Sequence, residues 1–114
     1  MPPDELKLTM TVGAVVREFL MDPQVPRYGF DLMRATHLPS GTLYPILARL
    51  QRAGWVTSHQ EDIDPSVAGR PARRFYKITA HGAENARLQL AELSERLRPP
   101  AGGRLRPSLE GKWA

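Results

Sequence analysis

With 114 residues and a formal net charge of +4, the chain has the size of a single domain without a separate catalytic domain, and its basic excess favours an acidic partner without identifying one. It contains no cysteine, which excludes a disulfide framework, a thiolate zinc site and a cysteine nucleophile. The amino end is acidic and the longest apolar run, residues 12–16, is too short for a signal peptide or a membrane span, so we expect a cytoplasmic protein with no membrane association.

Two helices are predicted in the first third of the chain. From Leu8 to Phe19 apolar residues recur at helical spacing, and the two prolines within residues 22–26 end the pattern. A second, shorter helix is predicted over residues 28–36, and Pro39 stops it. Both helices carry an apolar stripe, so both are expected to contribute to one core.

The third predicted helix has one apolar and one basic face. Ser40 or Thr42 is expected to cap it, and a start at Thr42 places Pro45 in the first turn, where its missing N–H breaks no intrahelical bond. Arg49 and Arg52 lie on the face opposite the apolar one, where they can reach phosphates or guanine edges. The apolar face consists of Leu43, Ile46, Leu47 and Leu50.

A β-hairpin with a long loop is predicted next. Residues 55–61 and 73–79 show strand character, and in the second run one face carries Phe75, Lys77 and Thr79 and the other Arg74, Tyr76 and Ile78. The connection, residues 62–72, is rich in proline and glycine and too long for a tight turn, so we expect it to project from the domain. Three helices followed by such a hairpin predict a mainly α, α+β fold: a winged helix-turn-helix whose wing is this loop.

The last predicted helix carries an a/d seam and ends at Pro99. Because two heptads are marginal for an isolated coiled coil, we expect the seam to pack partly on its own domain and partly on the same helix of a second copy. The predicted organisation is a DNA-binding domain over residues 1–79, a dimerisation helix over 80–98 and a flexible basic tail over 99–114. The seam consists of Ala83, Ala86, Leu90, Leu93 and Leu97.

The arrangement of basic residues points to double-stranded DNA. In winged helices the third helix enters the major groove and the wing reaches the backbone or the minor groove, and this chain has arginines at both places. The alternative for each of them is a solvated surface charge without a partner. The candidate DNA contacts are Thr42, Tyr44, Arg49, Arg52, Arg70, Arg73, Arg74 and Lys7.

Four segments form a specific set because of their order along the chain: Tyr28–Met33, Ser40–Leu50, Ala53–Val56 and Gly69–Thr79, the last followed by Gly82. This set is similar to the successive signatures of the PadR-type transcriptional regulators. The resemblance implies a homodimer, usually a repressor, whose third helices read a pseudo-palindromic operator and whose last helix dimerises.

The resemblance covers roughly residues 8–97 and is to the compact subgroup with a single short C-terminal helix. Some compact relatives bind flat aromatic compounds between aromatic residues of the paired helices. Residues 80–98 contain no tryptophan, tyrosine or phenylalanine, so no stacking site of that kind is expected. Trp55 corresponds to the start of the first strand, which implies a place in the core.

An enzyme is not expected, nor is a cofactor or a metal. The acidic cluster in the loop, formed by Glu61, Asp62 and Asp64, is read as a solvated loop base rather than a cation site. No phosphate-binding loop is present in the sequence. The histidines are spread over a turn, a strand and a helix start: His37, His59 and His81.

Two further alternatives stay open. A winged helix can serve as a protein-binding adaptor, although an adaptor is expected to expose an apolar patch where this chain places arginines. A repressor can also be controlled by a protein instead of a small molecule. The sequence does not separate these two kinds of effector.

Overall fold

The computed structural model describes residues 6–102, and most of the predicted tail, residues 103–114, lies outside them. Within this range five helices surround a small antiparallel sheet, which confirms the predicted α+β winged helix. The elements are α1 (Met10–Met21), β1 (Arg27–Tyr28), α2 (Gly29–Thr36), α3 (Ser40–Arg52), β2 (Val56–Gln60), α4 (Pro65–Ala68), β3 (Arg74–Ile78) and α5 (Ala80–Arg96).

One hydrophobic core joins the helices to the sheet. Helix α1 begins at Met10 because the Thr9 hydroxyl oxygen accepts a hydrogen bond of 3.2 Å from the Val12 amide. Leu6 and Leu8 precede the helix and are themselves buried. The largest fully buried side chains come from α1, α2, α3 and β2, and they are Phe19, Leu32, Leu43, Leu47, Leu50, Val15, Val16 and Val56.

The sheet has three strands in the order β1-β3-β2, one more than the predicted hairpin. Arg27 and Tyr28 pair with Tyr76 and Phe75 of β3, so Tyr28 belongs to a strand and not to the second helix. A two-residue strand carries no detectable alternation, which is why the sequence pattern missed it. Tertiary contacts hold it, since the Arg27 guanidinium donates to the Glu18 carbonyl at 2.7 Å.

Helix α3 begins two residues earlier than the start predicted at Thr42. Pro39 is its N-cap, and the amides of Thr42 and Leu43 both donate to the Pro39 carbonyl. The predicted side-chain cap by Ser40 or Thr42 is therefore wrong. Pro45 lies in the second turn and lacks the N–H that would bond to the carbonyl four residues earlier. The helix continues because that carbonyl is on an exposed residue and can be hydrated.

The wing is more ordered than a projecting loop. The one-turn helix α4 interrupts it, and the Asp64 carboxylate accepts from both the amide and the hydroxyl of Ser66, at 3.0 and 2.7 Å. Gly69 ends α4 with a φ of 72°, a conformation that favours glycine. The wing therefore has a shape of its own.

Helix α5 is attached closely to Gly54 and Trp55, the residues just before β2 begins. The Thr79 hydroxyl donates to the Gly54 carbonyl at 2.7 Å, and its oxygen caps the helix by accepting from the Gly82 amide at 2.9 Å. Gly82 lies against the Trp55 backbone, where a Cβ would come within 2.6 Å of the Trp55 Cα. Trp55 is buried, in agreement with the core position that the resemblance implied.

The a/d seam of α5 faces mainly its own chain. Ala83 and Ala86 are buried within the chain, and their dimer contacts remain a prediction. Leu90 and Leu93 are partly buried and pack against the core, whereas Leu97 is 58% exposed. Helix α5 packs along α1, and a Cβ at Gly13 of α1 would lie 3.4 Å from Leu90 Cδ2 and 3.6 Å from Leu93 Cδ2, so these two seam positions take part in that packing.

Candidate nucleic-acid interface

The outward face of α3 carries the predicted polar residues. Thr42, Tyr44, Arg49 and Arg52 are all exposed, while the opposite face of the helix is buried in the core. The period of the helix produces this separation directly. Two guanidinium groups and two hydroxyl groups are therefore exposed to solvent along this helix.

A cleft lies between α3, the start of α2 and the base of the wing. Its volume is about 730 Å³, and it brings Tyr44 together with two wing arginines that follow it by about thirty residues in the sequence. Aromatic rings beside guanidinium groups suit a sugar-phosphate backbone and base faces. The lining residues are Tyr28, Gly29, Phe30, Asp31, Tyr44, Arg73 and Arg74.

Tyr44 is held in place by a glycine. Its phenol ring lies over Gly29, where a Cβ would come within 2.9 Å of the Tyr44 Cζ. The ring is nevertheless 43% exposed. Tyr44 is thus packed against Gly29 and is also accessible to a ligand.

The sequence did not single out the exposed aromatic residue Phe30. The helical period places Phe30 beside the apolar stripe of the second helix. It is 64% exposed, and the Arg34 guanidinium lies 5.8 Å from the centre of its ring. On the neighbouring strands Phe75 stacks on His59, with the ring centres 5.4 Å apart. The available signal in the sequence was a phenylalanine in the helix before the predicted recognition helix, beside and not within the apolar stripe.

The wing arginines differ in their surroundings. Arg73 and Arg74 are exposed at the cleft, and the Arg74 guanidinium donates to the Ser58 hydroxyl at 3.0 Å. Arg70 is instead bound by Glu61, whose two carboxylate oxygens accept from its two terminal nitrogens at 2.7 and 3.0 Å. A phosphate contact by Arg70 would have to compete with this ion pair.

The same carboxylate also fixes the backbone of the wing. Glu61 Oε1 accepts from the Arg73 amide at 2.8 Å, and the Glu61 amide donates to the Arg73 carbonyl at 2.8 Å. The side-chain hydrogen bonds from Arg70, followed by the amide of Arg73, lower the pKa of Glu61 from 4.5 to about 2. We call this set the Glu61 network: the Glu61 carboxylate, the Arg70 guanidinium and the backbone of Arg73.

The acidic loop residues are therefore used within the wing. Glu61 binds Arg70, and Asp64 caps α4, so their carboxylates are not arranged around a common centre. In the part of the chain that the structure describes, no group of three or more histidine, aspartate or glutamate side chains is placed to hold a metal ion.

Lys7 and the exposed end of the seam lie elsewhere. Lys7 is exposed in a groove that the residues before α1 form with α5, and this groove shares no lining residue with the cleft. The structure thus brings Tyr44 together with Arg73 and Arg74 but not with Lys7. Its DNA contact remains a prediction.

The family follows from residues 20–88, which match the model of the transcriptional regulator PadR-like family. This match spans more than half of the chain. The chain belongs to the PadR-like family. As a PadR-like protein it is a DNA-binding transcriptional regulator and not an enzyme.

Solved structures share the fold of this PadR-like chain at low sequence identity. The MepR–DNA complex of Staphylococcus aureus has a TM-score of 0.61 at 16% identity, over 78% of this chain and 67% of that one. A transcriptional regulator homologue from Pyrococcus horikoshii OT3 has a TM-score of 0.58 at 22% identity, over 76% and 78%. BpsR of Bordetella bronchiseptica has a TM-score of 0.60 at 16% identity, over 99% and 77%. No curated protein sequence matches the chain.

Among residues 6–102, no helix has both the length and the apolar composition needed to cross a bilayer.

Proposed function

We propose that this PadR-like protein is a cytoplasmic homodimer that represses transcription by reading a pseudo-palindromic operator. The observation that carries the proposal is the cleft in which Tyr44 of α3 lies together with Arg73 and Arg74. In this assignment α3 enters the major groove and the wing contacts the adjacent backbone. Two copies then place two recognition helices on two half-sites.

The residues of the interface divide into two groups. Thr42, Tyr44 and Arg49 lie on the helix that enters the groove and are proposed to contact base edges or nearby phosphates. Arg52, Arg73 and Arg74 are proposed to contact phosphates only. Their contribution releases counterions and is independent of the base sequence.

The test is a titration of the purified protein against the duplex directly upstream of its own gene, with a scrambled duplex as competitor, at two salt concentrations. Tight binding that resists the competitor supports the operator function. Weak binding to both duplexes that disappears with salt would contradict it and would favour the adaptor, for which the exposed Phe30 is the available apolar contact. Arg17→Ala is the matched charge control for variants of the interface arginines, because Arg17 is exposed on α1 outside the cleft.

A homodimer through α5 is proposed with a smaller set of contacts than the full seam. Leu97 is exposed and continues the seam toward the end of α5, whereas Leu88 is 61% exposed on a different face of the helix. Leu97→Glu is expected to give monomers in sedimentation, and Leu88→Glu is expected to leave the dimer intact. The reverse result would place the second copy on the Leu88 face.

A small-molecule effector is proposed ahead of a protein effector. Two proteins with the same fold support it, since the PcaV regulator of Streptomyces coelicolor was solved with its natural ligand and DNA binding by BpsR is regulated by 6-hydroxynicotinic acid. Release of the operator duplex by a compound from a panel of small aromatic acids would support this choice. Release only by a cell protein fraction would favour the protein effector.

A further inference from the structure

The Glu61 network places a carboxylate beside the face that is proposed to bind DNA. Glu61 directly follows β2 at the root of the wing. It contacts Arg70 and Arg73 from the other side of the loop. Electrostatics alone makes a carboxylate unfavourable next to a phosphate backbone. A carboxylate at this position therefore needs to contribute more to DNA binding than this repulsion costs.

The hydrogen bonds of the Glu61 network supply such a contribution. Three hydrogen bonds of 2.7 to 3.0 Å converge on the two oxygens of Glu61, and a backbone bond of 2.8 Å from the Glu61 amide to the Arg73 carbonyl continues the strand pairing into the wing. Arg70 also donates to the Pro71 carbonyl at 3.2 Å. Both ends of the loop are thus joined through one side chain.

Closing the wing fixes the backbone of Arg73, a residue that lines the cleft together with Tyr44. Preorganisation of this kind reduces the entropy that binding must otherwise overcome, because the loop is ordered before the DNA arrives. It also uses one positive charge, that of Arg70, to neutralise the carboxylate. The wing then meets the DNA with the charges of Arg73 and Arg74.

We propose that Glu61 is a positioning residue for DNA binding: by joining Arg70 to the Arg73 backbone it holds the wing in the conformation that presents the Arg73 side chain beside α3. This role rests on the proposed operator function. It assigns Arg70 to the shape of the wing in place of a phosphate contact. The lowered pKa of Glu61 agrees with a carboxylate that remains ionised in this network.

The experiment compares two acidic residues that differ in these contacts. Glu61→Ala and Asp62→Ala each remove one negative charge from neighbouring positions, but Asp62 is exposed and makes no side-chain hydrogen bond among residues 6–102. Electrostatics predicts tighter DNA binding for both variants. Positioning predicts about tenfold weaker binding for Glu61→Ala and equal or tighter binding for Asp62→Ala, measured by anisotropy on the operator duplex.

A conservative variant and a second measurement separate positioning from a general loss of structure. Glu61→Gln keeps one acceptor oxygen for the Arg73 amide, so its affinity is expected between those of the native chain and Glu61→Ala. Hydrogen exchange of the Arg73 amide should become faster in Glu61→Ala, remain slow in Asp62→Ala, and leave the amides of α3 unchanged. Binding by Glu61→Ala as tight as by Asp62→Ala, or a slowly exchanging Arg73 amide in Glu61→Ala, would overturn the inference.

A double-mutant cycle decides the role of Arg70. If Arg70 acts only through Glu61, Arg70→Ala combined with Glu61→Ala binds DNA no more weakly than the weaker single variant. Additive losses would instead make Arg70 a phosphate contact and would contradict its assignment to the network. A native protein that binds no duplex would overturn both this inference and the operator function, whereas native binding with unaltered Glu61→Ala would overturn the inference alone.

Discussion

Helix α3 and the wing both contribute to the same cleft, α3 with Tyr44 and the wing with Arg73 and Arg74, but their residues are held in different ways. The outward residues of α3 need only a helix whose other face is buried, and Leu43, Leu47 and Leu50 provide that burial. The wing has no buried residue between Glu61 and Arg74 and depends on specific hydrogen bonds across the loop. A recognition helix is therefore secured by core packing, whereas a wing is secured by its own polar contacts.

The largest effect is expected where the support of α3 is removed. Leu47→Ala empties a fully buried position and should lower the free energy of unfolding by about 2–5 kcal/mol. Val67 in the wing is 84% exposed, so Val67→Ala should change it by less than about 0.5 kcal/mol. Urea denaturation followed by circular dichroism measures both. Equal losses would show that the wing contributes to the core and would erase the contrast.

A smaller effect is expected at the junction of the two regions. A methyl group on Gly29 would collide with the Tyr44 ring, so Gly29→Ala should displace the ring from the cleft and lower stability by about 1–3 kcal/mol. DNA affinity should fall with it. The control is the same change in a Tyr44→Ala background, where the collision is absent and the stability loss should disappear. A loss that persists there would locate the strain in the α2 backbone.

The two regions should also differ in what they read. Arg49→Ala is expected to cost about 1–3 kcal/mol on the operator and to relax the preference at one base pair. Arg73→Ala should weaken binding to all duplexes and reduce the salt slope by about 1. Anisotropy on a set of single-base operator variants, repeated at several salt concentrations, distinguishes them. If Arg49→Ala weakens every duplex equally, Arg49 is a phosphate contact.

The smallest expected change concerns the acid titration of Glu61. Its pKa is lowered from 4.5 to about 2, so the network contributes fully above the unfolded pKa and is lost only as the pH falls through about 2. Carbon-13 NMR of the side-chain carboxyl should give a midpoint near 2. In Arg70→Ala the pKa should move back toward 4.5 because its largest cause is removed. An unchanged midpoint in that variant would assign the shift to the Arg73 amide.

Several parts of the fold followed from local patterns, and the structure confirms them. The helical period of residues 43–50 predicted which face of α3 is buried, and residues 73–79 were predicted as a strand, in which β3 lies with Tyr76 and Ile78 buried. The order of three helices and a hairpin predicted the winged helix. These features depend on residues close together in sequence, where periodicity is a direct consequence of backbone geometry.

Other features depended on contacts between distant residues. Strand β1 exists because β3 pairs with it, and Leu90 and Leu93 turn inward because α1 lies beside α5. The cap of α3 also differed, since the Pro39 carbonyl accepts the first amides of the helix where a hydroxyl was expected. In each case a tertiary or backbone contact outweighed a local preference.

By itself the sequence determined the fold, the two faces of α3 and the family signatures, because each is written in residue type and spacing along one short segment. Only the tertiary structure decided that Glu61 joins Arg70 to Arg73, that Gly29 seats Tyr44, and that Ala83 and Ala86 belong to the chain's own core. Residue spacing does not encode such pairings, since they arise when separate elements meet. The residue pattern of the hairpin and its loop therefore located the wing. The hydrogen bonds across the wing distinguish Arg70, which is proposed to shape it, from Arg73 and Arg74, which are proposed to contact DNA.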